Sequence, residues 1–169
     1  MLARVLKQQP WLLFLLPFWL MRGKHILKRE LSSRCKLHAV TLPTNSELFN
    51  FLRVEHANGR PLLLVTGAYY NVAKNIADHY GFFDGVLATD EKQNLTGNRK
   101  AALLVEKFGD KGFDYVGNDT VDIPVWEHAR ESYLVNATPA TTVFVSRKFQ
   151  FAAVMDPQKK LSLKLILKA

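Results

Sequence analysis

Three groups of residues in this chain are of types that could act on a ligand together. Thr66 and Gly67 directly follow the apolar run Pro61-Leu62-Leu63-Leu64-Val65. Lys100 stands just before a segment with Ala101, Leu104, Val105 and Phe108 at helical spacing. The third group is the loop Gly117-Asn118-Asp119-Thr120-Val121-Asp122, which follows the apolar Tyr115-Val116. A hydroxyl, an ammonium and a loop of one amide and two carboxylates can work jointly only if the chain brings them to one edge. The carboxyl ends of parallel strands are such an edge, because open α/β sheets bind their ligands there.

The elements that would carry these groups are legible from periodicity. Phe113 to Val116 predicts a strand, followed by the acid-bearing loop, a helix begun near Pro124 and running through Arg130, and a strand at Tyr133-Leu134-Val135. The run at Pro61–Val65 predicts a buried strand ending in Thr66-Gly67-Ala68, and the spacing from Tyr69 to Tyr80 predicts a helix that Gly81 closes in the left-handed conformation. A short strand at Gly85–Ala88 and a helix opened by Gly97-Asn98-Arg99-Lys100 complete the pattern. Upstream, Ser46-Glu47 begins a helix that closes at Asn58-Gly59. Strands alternating with helices predict an α/β fold with a three-layer parallel sheet. Thr66, Lys100 and the 118–122 loop then fall at corresponding ends of neighbouring β/α units.

This order of hydroxyl, lysine and Gly-Asn-Asp-x-x-Asp loop resembles the haloacid dehalogenase-like (HAD) superfamily of phosphohydrolases, through its second, third and fourth motifs: Thr66 in LVTGA, Lys100 in GNRKAAL and Gly117 to Asp122 in GNDTVD. More narrowly, the wording from WLLFLLPFWLMRGKHILKREL through DYVGNDTVDIPVW is similar to the domain found ahead of UbiA-type membrane prenyltransferases. The resemblance implies Mg²⁺-dependent hydrolysis of a phosphate monoester through an aspartyl-phosphate, on a phosphorylated small molecule or a lipid-linked phosphate. It implies that Thr66, with Gly67, holds a phosphoryl oxygen, that Lys100 offsets charge on nucleophile and phosphate, and that Asn118, Asp119 and Asp122 hold Mg²⁺. It also implies a HAD-like, Rossmannoid core at 46–146 behind an N-terminal helical cap at 1–45, with a basic tail or linker at 147–169.

The chain departs from the family pattern at its first motif. No Asp-x-Asp occurs in the 169 residues, and no Asp precedes Thr66, so neither the nucleophile nor the general acid two residues beyond it is in place. As it stands, the chain is therefore expected to hydrolyse phosphate esters poorly or not at all, whether it is a fragment of a longer phosphohydrolase or a non-catalytic domain of the same fold. Asn118 stands where the family usually carries Asp, and an amide oxygen ligates Mg²⁺ without the charge of a carboxylate.

Each residue also has a purely structural reading. Thr66 could cap the following helix, Lys100 could be a solvated first-turn lysine, and Asp122, one residue before Ile123-Pro124, suits an N-cap. A lysine in a first turn opposes the helix dipole, however, and so calls for some further partner.

Charge distribution points to a second property. The net charge of +8 is concentrated at the ends, with +7 in residues 1–36, +5 in residues 147–169 and −4 between them. Trp11 to Met21 is uncharged and flanked by Lys7 and by Arg22, Lys24, Lys28 and Arg29. Its eleven residues would span about 16 Å as a helix, short of the roughly 30 Å hydrocarbon core. It is therefore expected to pack as a cap, to lie in a membrane interface, or both. The tail alternates Lys159, Lys160, Lys164 and Lys168 with Leu161, Leu163, Leu165, Ile166 and Leu167, as a basic amphipathic helix does. An anionic membrane surface, and a UbiA-type prenyltransferase by resemblance, are the expected partners of a cytoplasmic protein peripheral to the membrane.

Other classes are disfavoured. The single Cys35 has no cysteine to pair with, which suits a reduced compartment. His25, His38, His56, His79 and His128 are scattered without zinc-ligand spacing, and no Gly-x-Ser-x-Gly or Gly-Lys-Ser/Thr phosphate loop occurs. The basic ends lack a base-stacking or groove-reading motif, so nucleic acid is not an expected partner.

Overall fold

A computed structural model describes residues 44–155; the expected N-terminal cap and the lysine-leucine tail lie outside them. The chain forms two compact units: one holds His56–Thr96, and the other holds Thr44–Glu55 and the chain from Gly97 onward. Strands in both are parallel and linked through helices, as the alternating pattern predicts.

In the first unit, β1 (Leu63–Tyr69) pairs with β2 (Gly85–Thr89) from Leu63 opposite Gly85 to Thr66 opposite Ala88, with an irregularity between Thr66 and Tyr69. The crossover is α2 (Tyr70–Tyr80), which buries Ala73 and Ala77 and ends on Gly81 at φ 71°. Gly81 is the left-handed stop that the sequence predicts. Strand β1 runs four residues beyond Val65, so Thr66 lies inside it and does not cap α2. Tyr69 holds the N-cap position, while Thr66 Oγ1 accepts from Ala68 N–H at 3.1 Å.

The second unit is built on β4 (Ser132–Val135), all of it buried, between β3 (Tyr115–Gly117) and β5 (Ala153–Met155). Val116, Tyr133 and Ala153 stand in register across the sheet. Helix α1 (Ser46–Ala57) starts from Asn45, whose side-chain oxygen accepts from Glu47 N–H and Leu48 N–H. The Asn45 amide reaches Asn136 Oδ1 at 2.9 Å and the Met155 carbonyl at 3.2 Å, tying the helix start to the carboxyl ends of β4 and β5. Phe51 and Leu48 pack on the Tyr133, Val135 and Met155 cluster.

Two local expectations are corrected here. The helix expected over Pro124–Arg130 is only a 3-10 turn, Thr120–Asp122, and the four-residue α4, Ile123–Trp126. The chain beyond it is claimed by the sheet, since Arg130 N–H donates to Phe113 O and Tyr115 N–H to Glu131 O. The stretch from Pro139 forms a helix, α5 (Pro139–Ser146), because Thr138 Oγ1 accepts from Thr141 N–H at 3.1 Å and Pro139 sits at a helix start. Residues 153–155, expected in the basic tail, pair as β5. The core of the unit contains Val125, Trp126, Leu134 and Val145, all essentially inaccessible. Phe149 and Phe151 close over Trp126 at ring separations of 5.8 and 5.1 Å.

Candidate functional site

The second unit carries its polar site at the carboxyl end of β3. Helix α3 (Asn98–Phe108) follows Gly97, whose φ of 52° suits glycine. Lys100 lies in the first turn of α3 and is buried. Its Nζ donates to Asp122 Oδ1 and to the Tyr115 hydroxyl, each at 2.8 Å. Tyr115 in turn donates to the same Asp122 oxygen at 2.9 Å. The other carboxylate oxygen accepts from Asn118 N–H at 3.2 Å, which fixes the loop. Three elements thus converge on one triad, and the lysine that would oppose its helix dipole has the buried anion it needs.

This removes two of the structural readings. Lys100 is not a solvated lysine. Asp122 occupies the N-cap position of α4 but makes no side-chain cap bond; its carboxylate is turned to Lys100. Asp119 does the local capping, accepting from Thr120 N–H at 2.6 Å.

Tyr115 was not singled out from the sequence. The available signal was strand alternation, which puts Tyr115 and Gly117 on the face opposite Val116. Burial, reinforced by the Asp122 charge and its hydrogen bond, pushes the Tyr115 hydroxyl far above the ordinary phenol range, so it remains a donor at every working pH. Tyr115→Phe keeps the ring and the Lys100–Asp122 contact but deletes the bridging hydroxyl. We expect it to cost about 1–2 kcal/mol of stability, read as a lower urea midpoint at unchanged slope.

Gly117 lets the loop close. A Cβ there would stand 2.7 Å from Trp126 Cζ2 and 2.9 Å from Asp122 Oδ2, atoms held in a packed core and in an ion pair. Gly117→Ala should therefore destabilise by about 1–3 kcal/mol, measurable as a fall in thermal midpoint. Among the described residues, the buried Trp126 Nε1 beside this point has no hydrogen-bond partner.

The remaining loop residues face solvent. Asn118 and Asp119 are exposed, and both bonds that Asp119 accepts, from Thr120 N–H and Oγ1–H, go to Oδ1. Among the described residues, no three His, Cys, Asp or Glu group together as a metal cluster. Mg²⁺ needs no such cluster, since it is commonly held by one or two carboxylates with water and a substrate phosphate. The amide oxygen of Asn118 and the carboxylate of Asp119 are exposed hard oxygen donors of that kind, while both oxygens of Asp122 already accept hydrogen bonds from Lys100, Tyr115 and Asn118. Thr66 and Gly67 lie in the first unit; Thr66 is half-buried in β1, and the Gly67 carbonyl accepts from Thr89 Oγ1–H at 3.0 Å.

Comparison with known proteins bears on the family and the fold. A model of the haloacid dehalogenase-like hydrolases matches residues 17–123. An uncharacterized protein of Sinorhizobium fredii, y4nM, is 34% identical over 124 residues, which are 73% of this chain and 24% of that protein. The chain thus spans about a quarter of that curated relative's length. The crystal structure of a probable phosphoserine phosphatase from Vibrio cholerae superposes with a TM-score of 0.53 at 16% identity, over 62% of this chain and 38% of that one. An HAD family hydrolase from Salmonella enterica serovar Typhi gives the same score and identity over 69% and 44%. At that identity these structures speak for the fold alone. The family match takes in β1, α3 and the loop that closes on Lys100, and it covers more than half of the residues: the chain belongs to the haloacid dehalogenase-like hydrolase family.

Proposed function

We propose that the chain carries a phosphohydrolase domain of the type that cleaves phosphate monoesters with Mg²⁺ through an aspartyl-phosphate, and that these 169 residues by themselves do so poorly or not at all. The observation that carries the reading is the buried Lys100–Asp122 ion pair, bridged by Tyr115 at the carboxyl end of β3. An ammonium held there costs desolvation, and a site for a highly charged ligand is a reason to bear it. Lys100 has one N–H beyond the two it gives to Tyr115 and Asp122, and that donor would face a phosphoryl oxygen. Asn118 and Asp119, with Asp122, would hold Mg²⁺, which when bound offsets charge on the phosphate. The substrate class is a phosphorylated small molecule or a lipid-linked phosphate.

A second reading has its own support. The absence of Asp-x-Asp and the strongly basic ends suit a non-catalytic domain that docks on an anionic membrane or on a UbiA-type prenyltransferase. Among the described residues, no helix is long and apolar enough to cross a membrane. Docking in this reading would be led by the basic residues 1–36. Hydrolysis of p-nitrophenyl phosphate by the purified chain with Mg²⁺ tests the first reading. No release above buffer is expected, and turnover that Lys100→Ala abolishes would overturn the claim of inactivity.

A further inference from the structure

Helix α5 is amphipathic in the wrong sense for a surface helix. It buries Val145 completely and turns the half-buried Thr141 and Thr142 towards the body. Its outward stripe, at i, i+3, i+4 and i+7, is Ala140, Val143, Phe144 and Arg147, all exposed. Val143 and Phe144 are each 57% accessible, whereas a surface helix normally gives its polar residues to water. At the end of the helix, Val154 of β5, 39% accessible, lines a depression with Ser146, Arg147 and Phe149. Adjacent large apolar side chains exposed on one helix face, as Val143 and Phe144 are, mark an interaction site.

The charge on the patch selects the partner. Arg147 makes no ion pair with any described residue, and Lys148, 2.6 Å from Glu127, lies beside it. The strand β5 that borders the patch leads directly into the sequence containing Lys159, Lys160, Lys164 and Lys168. An apolar stripe edged by cations, followed in the sequence by further lysines between leucines, is complementary to an anionic lipid surface. We propose that the α5 face, through Val143, Phe144, Arg147 and Val154, seats this domain on an anionic bilayer. The proposal rests on the membrane reading above and gives it a definite surface on the folded body, separate from residues 1–36. The apolar side chains enter the headgroup boundary, and Arg147 meets lipid phosphate or carboxylate.

Flotation of the full chain with phosphatidylcholine vesicles, with and without phosphatidylserine, tests this. Wild type should bind the phosphatidylserine vesicles in a salt-sensitive way. Phe144→Glu and Val143→Glu should each lose about tenfold or more in partitioning, and Arg147→Gln should lose less. Val54→Glu, an equally exposed position on α1, should bind as wild type does. Phe144→Ser guards against misfolding, since it removes the apolar contact without adding charge; it should unfold at the wild-type temperature and still bind weakly. If wild type fails to bind at all, the membrane reading falls together with the proposal. Should wild type bind while the Val143, Phe144 and Arg147 variants bind equally well, the α5 face is excluded and the ends alone carry the contact. Concentration-dependent dimerisation abolished by Phe144→Ser would assign the face to a second copy and overturn the proposal.

Discussion

Replacing Lys100 by Ala should cost about 3–5 kcal/mol of folding stability, because it strands the Asp122 carboxylate in a buried position without its counter-ion. Lys100 and Asp122 are only 7% and 5% accessible, so water offers little compensation. Tyr115 would be left to donate a single hydrogen bond to the orphaned charge. For a domain of ordinary stability this is a third or more of the total, and a fall in thermal midpoint of about 10 °C or more is expected. Asp122→Asn should be milder, since the amide oxygen can still accept from Lys100 and Tyr115. A cycle combining Lys100→Met with Asp122→Leu separates pairing from packing. The double variant should recover much of what Lys100→Met loses, whereas simple additivity would show that the two charges are not coupled.

The second large effect is on turnover. Phosphate release by the isolated chain should fall several orders of magnitude short of a working enzyme, because the reaction depends on an attacking carboxylate. The described aspartates do not offer a substitute. Asp122 is held by Lys100, Asp114 is clasped by both arms of Arg130, Asp110 lies 2.8 Å from His128, and Asp78 pairs with Lys74 along α2. Asp84 accepts from Leu62 N–H, which holds its carboxyl below the usual range, and Asp90 caps a turn through Lys92 and Gln93. Asp119 is exposed, and both hydrogen bonds it accepts, from Thr120, go to Oδ1. Turnover that survived Asp119→Ala but vanished on removal of Mg²⁺ would mean that a carboxylate elsewhere attacks.

The legible parts of the fold were those with local causes. Gly81 stops α2 because a left-handed residue was needed, and Leu63-Leu64-Val65 of the apolar run at 61–65 opens a strand with its helix behind it. Residue type and spacing singled out Lys100 and Asp122 as candidates, but their direct contact was not legible, since it depends on a pairing across 22 positions of sequence. Tyr115 escaped notice because an aromatic in a strand reads as core; its hydroxyl matters only once Lys100 and Asp122 lie beside it. Helix α5 and strand β5 were missed for the same physical reason. Short segments with mixed propensity take their state from their neighbours, here the Thr138 cap and the open edge of β4.

Absent turnover alone does not distinguish a phosphoryl site without its nucleophile from a domain that only docks, so binding of inorganic phosphate to the 169-residue chain is the decisive measurement. Calorimetric titration with and without Mg²⁺ should show phosphate binding that requires the metal and weakens by about tenfold in Asp119→Ala. Thermal unfolding of that variant should stay near wild type, because Asp119 is exposed. Phosphate that fails to bind in the presence of Mg²⁺, or binds equally without it and in Asp119→Ala, would contradict the assignment of the Lys100 and 118–122 site to phosphoryl chemistry.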